Sequence, residues 1–78
     1  MRTQTLDTLV PGMSGCVHSL SGEPEITHSL MEIGLHPGAR VRLVRRAPMG
    51  SPLEVAIGGS RFAIRKDLAR MISLALDV

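Results

Sequence analysis

The sequence predicts a mainly β fold, a small closed barrel of five short strands with one short α-helix between strands 1 and 2. Three observations carry this reading. Strand-patterned segments recur at short intervals after residue 38, the clearest being the alternation Ala39-Arg40-Val41-Arg42-Leu43-Val44. Glycine and proline punctuate the connections at 11–12, 22–24, 34–38, 48–52 and 58–59. Ahead of the Gly34 stop, Ile26, Leu30 and Ile33 recur at the i, i+4, i+7 spacing of one helical face. Seventy-eight residues make one domain, 1–78, and closure removes sheet edges that so small a domain could protect only poorly.

Met1 to Thr5 read as a polar lead-in. Leu6 and Leu9 bracket a turn that lays two apolar side chains across the barrel floor, and Pro11-Gly12 ends it. Residues 14–20 form the first strand, with Val17 and Leu20 inward. Their spacing of three breaks strict alternation and predicts a bulge. Ser21-Gly22-Glu23-Pro24 opens the helix: proline suits the first turn, and Glu23 and Glu25 lie at the positive end of the dipole.

The helix ends on Gly34, which adopts positive φ without a Cβ clash, and Leu35 is placed to pack back on Leu30. Pro37 forbids another helical turn and Gly38 completes the reversal. In the strand that follows, Val41 and Leu43 point inward, Arg40 and Arg42 outward. A loop over 47–52 leads to a strand at 53–57. Gly58-Gly59 is a two-residue hairpin turn into 61–65, with Phe62 and Ile64 inward. Lys66 to Arg70 make one helical or 3₁₀ turn, and Met71 to Leu76 the closing strand.

Composition narrows the function. Apolar residues make up 44% of the chain but Phe62 is the only aromatic, so the core is aliphatic and base-stacking platforms are missing. Nine cations against seven acids give a formal charge of +2, and eight of the nine are arginine, suited to flat contacts with carboxylate or phosphate. The single cysteine, Cys16, excludes an internal disulfide. No apolar run reaches the length of a membrane span and no signal-peptide core is present, so a soluble intracellular chain is expected.

At this point four motifs together resemble the FeoA family. They are Leu6-x-x-Leu9-x-Pro11-Gly12, Leu30-Met31-Glu32-Ile33-Gly34-Leu35-x-Pro37-Gly38, Pro48-x-Gly50-x-Pro52, and Ala63-Ile64-Arg65 followed by Ala69-x-x-Ile72. The resemblance implies an SH3-like barrel and a cytoplasmic accessory of bacterial ferrous-iron uptake. It also implies a partner, a ferrous-iron membrane permease with a cytosolic GTPase domain. A similar barrel forms the C-terminal domain of metal-dependent repressors, which makes a stand-alone metal-responsive module the alternative. The family commonly carries Arg just before the Leu-x-Glu-x-Gly run; here His28-Ser29 precede Leu30.

No Ser/His/Asp or Cys/His arrangement and no phosphate-binding loop is legible, so no catalytic residue is assigned and none is expected. The partner-binding candidates are Arg42, Arg45 and Arg46 on the strand end, Met49 and Pro52 in the exposed loop, and Met31 at the edge of the helix's apolar face. The small net charge weighs against nucleic acid. No cofactor is required. For a weakly held divalent metal, iron or zinc, the candidates are Glu25, His28 and Glu32, on the helix face opposite Ile26, Leu30 and Ile33. The pair Cys16 and His18 points to one side of a strand, but without a second pair it cannot close a structural zinc site. Gly34, Pro37, Gly38, Gly58 and Gly59 are structural, and weak self-association through Met49 or sheet edges is expected.

Overall fold

A computed structural model describes residues 2–77. Six antiparallel strands form one curled sheet in the order β1-β6-β2-β3-β4-β5. The strands are β1 (Thr3–Thr5), β2 (Ser14–Leu20), β3 (Arg40–Arg46), β4 (Leu53–Ile57), β5 (Ser60–Ile64) and β6 (Ile72–Leu76). A 3₁₀ turn (Leu6–Thr8), helix α1 (Pro24–Glu32) and the single-turn helix α2 (Lys66–Ala69) complete the chain.

The expected five strands become six. The lead-in contributes β1, whose Thr3, Gln4 and Thr5 pair with Ala75, Leu74 and Ser73 of β6; Met1 lies outside the described residues. Three polar residues carry no strand period, and only the partner strand's free hydrogen-bonding groups order them. No ladder joins β1 to β5 among the described residues, so the sheet has two ends. Both are short, and β5 carries Arg61 at its exposed edge, the usual protection of a free strand.

The bulge expected in β2 falls between Val17 and Ser19. β3 runs two residues further than the alternation suggests, because a second bulge between Leu43 and Arg45 re-phases it and keeps Arg45 and Arg46 paired with Glu54 and Leu53. The hairpin holds two residues: Ile57 faces Ser60, and Gly58 alone takes positive φ (+60°), the pattern of a II′ turn.

α1 stops as its sequence requires. Leu35 N–H donates to Leu30 C=O and Gly34 N–H to Met31 C=O, both at 3.0 Å, the paired bonds of a Schellman motif. Gly34 sits at φ +110°, and a Cβ there would lie 3.1 Å from Ile57 Cγ2, so the stop also seats the helix end against β4. Leu30 and Leu35 both enter the core.

That core consists of aliphatic side chains from every element except β1, with Leu6, Leu9, Leu35, Leu43, Leu53, Val55, Ile72 and Leu74 at zero exposure. Phe62 and Leu20, expected inward, are half-buried and pack against its margin. No polar or charged residue is buried among the described residues. β2 also contains Gly15, where a Cβ would come 2.5 Å from the Ala75 carbonyl oxygen, so β6 passes closer to β2 than any other residue permits.

Two substitutions separate these roles. Gly34→Ala should cost about 1–3 kcal/mol through backbone strain, and Gly15→Ala about as much through forced separation of β2 and β6. Urea unfolding midpoints read both, and Gly50→Ala, with open space around its Cβ, isolates the φ cost alone.

Candidate functional site

With the barrel filled, the charged groups lie outside, and six of the sixteen gather on the outward face of β2 to β5. Pairing registers place side chains in rows across this face. Arg42 stands between Ser14 of β2 and Ala56 of β4, and Ala56 faces Arg61 of β5. Arg40, two residues earlier on β3, faces Cys16.

The β3 arginines meet different fates. Arg40 forms a two-pronged pair with Asp77, its Nη1 3.2 Å from Oδ1, while Ser14 Oγ donates to Asp77 Oδ2 at 2.6 Å. Arg45 Nε donates to Glu54 Oε1 at 2.8 Å, and Arg61 Nη1 donates to Glu54 Oε2 at 3.1 Å. These bonds hold the Asp77 and Glu54 carboxyls below their ordinary pKa, with the hydrogen bonds from Arg40 and Arg45 the largest respective causes. Arg46 departs from its expected outward role. Its Nη2 donates to the Asp7 carbonyl and, at 2.6 Å, to the Leu9 carbonyl, bracing the 3₁₀ turn against the end of β3. Arg42 is exposed and has no ion pair among the described residues.

Arg45, Arg46, Pro48 and Pro52 do come together, lining a shallow groove of about 220 Å³ with Glu54 and Ala63. Met49 stands at the tip of the adjoining loop with 93% of its surface exposed. Met31 is 42% exposed on α1 and lines no part of that groove. Glu25, His28 and Glu32 are all exposed; only His28 and Glu32 approach, at 3.8 Å. No three His, Cys, Asp or Glu side chains gather closely enough to hold an ion among the described residues. Among the described residues no helix is long and apolar enough to cross a membrane.

The carboxylates that organise this face, Glu54 and Asp77, escaped the sequence reading. Glu54 was legible as an outward residue between Leu53 and Val55, but its two arginine partners lie nine residues before it and seven after, and only the register brings them together.

Residues 4–76 match the FeoA domain. This chain belongs to the FeoA family. A crystal structure of an iron uptake regulatory protein, FeoA, is 30% identical with a TM-score of 0.89, covering 99% of this chain and 100% of that one. The FeoA protein of Chlorobium tepidum is 32% identical (TM-score 0.89; 96% of this chain, 71% of that one). The FeoA of Stenotrophomonas maltophilia, solved in complex with zinc and described as an SH3 domain protein, is 33% identical (TM-score 0.77; 95% and 89%). A manganese-dependent transcriptional repressor shares the fold at 21% identity and TM-score 0.87, over 96% of this chain but 42% of its own. No curated protein matches the sequence. The SH3-like barrel expected from the FeoA motifs is thus the fold of this family member.

Two measurements test the site's energetics. Arg46→Ala should destabilise the FeoA barrel by about 2 kcal/mol, because two part-buried carbonyls lose a charged donor. Arg45→Ala, on an exposed pair, should cost under about 1 kcal/mol. Depressed carboxyl pKa values mean that the unfolded chain binds more protons in acid. The contribution of Asp77 and Glu54 is therefore present above the ordinary carboxylate pKa of about 4 and lost as pH falls through the lower folded values. The melting temperature should drop across that acid window, and Asp77→Asn should flatten the drop.

Proposed function

We propose that this chain is a non-enzymatic accessory of ferrous-iron uptake that works in the cytoplasm as a protein-interaction module on a ferrous-iron permease. One observation carries the reading beyond family membership: the interior of this FeoA barrel is filled with aliphatic side chains, and among the described residues the most exposed of three large apolar groups outside, ahead of Val10 and Met31, is Met49 at a loop tip. A fully exposed thioether between Pro48 and Gly50 gives a flexible, polarisable contact on a rigid base. Arg45 and Pro52 line the groove beside that loop, Arg42 stands further back along β3, and Met31 offers a smaller apolar contact from α1. Arg46 contributes indirectly, by holding the strand end from which the loop departs.

The mechanism is modulation. Docking biases the permease or its GTPase domain toward whichever arrangement it binds better, by no more than the difference in affinity. The test is interferometry with the purified cytosolic region of the permease. The full chain should bind in the micromolar range, and Met49→Asp should weaken binding at least about fivefold, the loss of a central apolar contact. No binding at tens of micromolar defeats the proposal.

A second reading is favoured by the zinc in the Stenotrophomonas maltophilia relative. In it, the chain is a metal-responsive module that holds iron or zinc weakly, with the exposed His28 and Glu32 as the nearest donors. A ligand specific for the native state raises the melting midpoint, by an amount equivalent to about 2.7 kcal/mol at a hundredfold excess over its dissociation constant. Anaerobic melts with ferrous iron or zinc should then show a shift that His28→Ala removes. An unchanged midpoint in excess metal counts against this reading.

A further inference from the structure

We infer that the outward face of β2 to β5, centred on Arg42, is a docking surface for an acidic segment of protein, with the Arg42 guanidinium taking a partner carboxylate. This rests on the interaction-module reading above, and it names the face used and the chemistry recognised.

The first observation is where the charge resides. The face carries Arg40, Arg42, Arg45 and Arg61 against Asp77 and Glu54, four cations against two anions and so a net +2. The whole chain has nine cations and seven anions, also +2. The five cations and five carboxylates elsewhere therefore cancel, and the entire formal charge of the molecule sits on one side. A neutral body with one positive face orients an acidic partner before contact.

The second observation is how that face is divided. The Asp77 carboxylate is occupied by Arg40 and Ser14, and Glu54 by Arg45 and Arg61, which fixes four side chains and leaves no free acid to repel an incoming one. Arg42 alone lacks a carboxylate among the described residues of this face. It stands between them with short neighbours, Ser14 and Ala56, on the adjacent strands. Together with Arg40 and Gly58 they leave a groove of about 370 Å³ over the strand. Low walls give a carboxylate access to both prongs of the guanidinium, the geometry in which arginine binds carboxylate best. Phe62 is on the core side of β5, so no aromatic ring faces this groove and bases would find nothing to stack on. That absence favours an acidic peptide over a nucleic acid.

The test has two arms, both using the full chain. In the first, a synthetic twelve-residue peptide of alternating Glu and Ala is titrated while backbone amide shifts are followed. Shifts should concentrate at Ser14, Arg42, Ala56 and Arg61 and vanish in Arg42→Glu, whose melting temperature should match the wild type because the side chain is exposed. Lys66→Glu, a charge reversal off this face, should leave the shifts in place. Shifts scattered over Lys66 and Arg70, or equal in both variants, overturn the inference. So does tighter binding of a single-stranded oligonucleotide to the same face.

In the second arm, binding to the permease's cytosolic region is measured at low and high salt. Arg42→Glu should lose about tenfold in affinity and most of its salt dependence, Lys66→Glu less than about twofold. If wild type binds and Arg42→Glu binds equally well, this face is wrong while the module reading stands. If wild type fails to bind the permease yet the peptide arm succeeds, the permease reading falls and the acidic-segment surface survives.

Discussion

A barrel built by so short a chain has only enough residues to fill itself, and that constraint governs the rest. Leucine, isoleucine and valine from the 3₁₀ turn, α1 and five of the six strands meet in one aliphatic cluster, and no polar group is buried with them among the described residues. The two faces of each strand are divided, the inward half filling the core and the outward half carrying the charged groups.

The division is sharpest along β3. Val41 and Leu43 go inward; Arg40, Arg42 and Arg45 go outward, and the bulge after Leu43 turns Arg46 onto the carbonyls of Asp7 and Leu9. One run of basic residues thus yields a brace, two ion-paired side chains and, among the described residues, one without a carboxylate partner. Exposed pairs such as Arg45–Glu54 contribute little stability in water. Their consequence is positional: they hold guanidinium and carboxylate groups in register and give the face a defined pattern of charge.

α1 plays a different part. Its Schellman ending turns the chain sharply enough for Leu35 to follow Leu30 into the core, and Gly34 lets the helix end rest on Ile57. Its solvent face, with Glu25, His28 and Glu32, stays outside the cluster, and one turn of separation brings only His28 and Glu32 within reach.

Local chemistry was enough to write α1 and its glycine stop, the Gly58-Gly59 hairpin, the inward residues of β3 and the bulge in β2, because each follows from neighbours within a few positions. The same local rules read Thr3–Thr5 as a polar lead-in and gave no sign of the carbonyls that Arg46 braces. Both gaps have one origin. Whether a backbone amide or a guanidinium finds a partner depends on what the sheet carries past it, and Ala75 and Leu9 lie 72 and 37 residues away from them in sequence. The composition alone determined an aliphatic core and a basic exterior. Only the tertiary register decided which arginines are neutralised, since Asp77 reaches Arg40, and Glu54 reaches Arg45 and Arg61, only after the strands have paired.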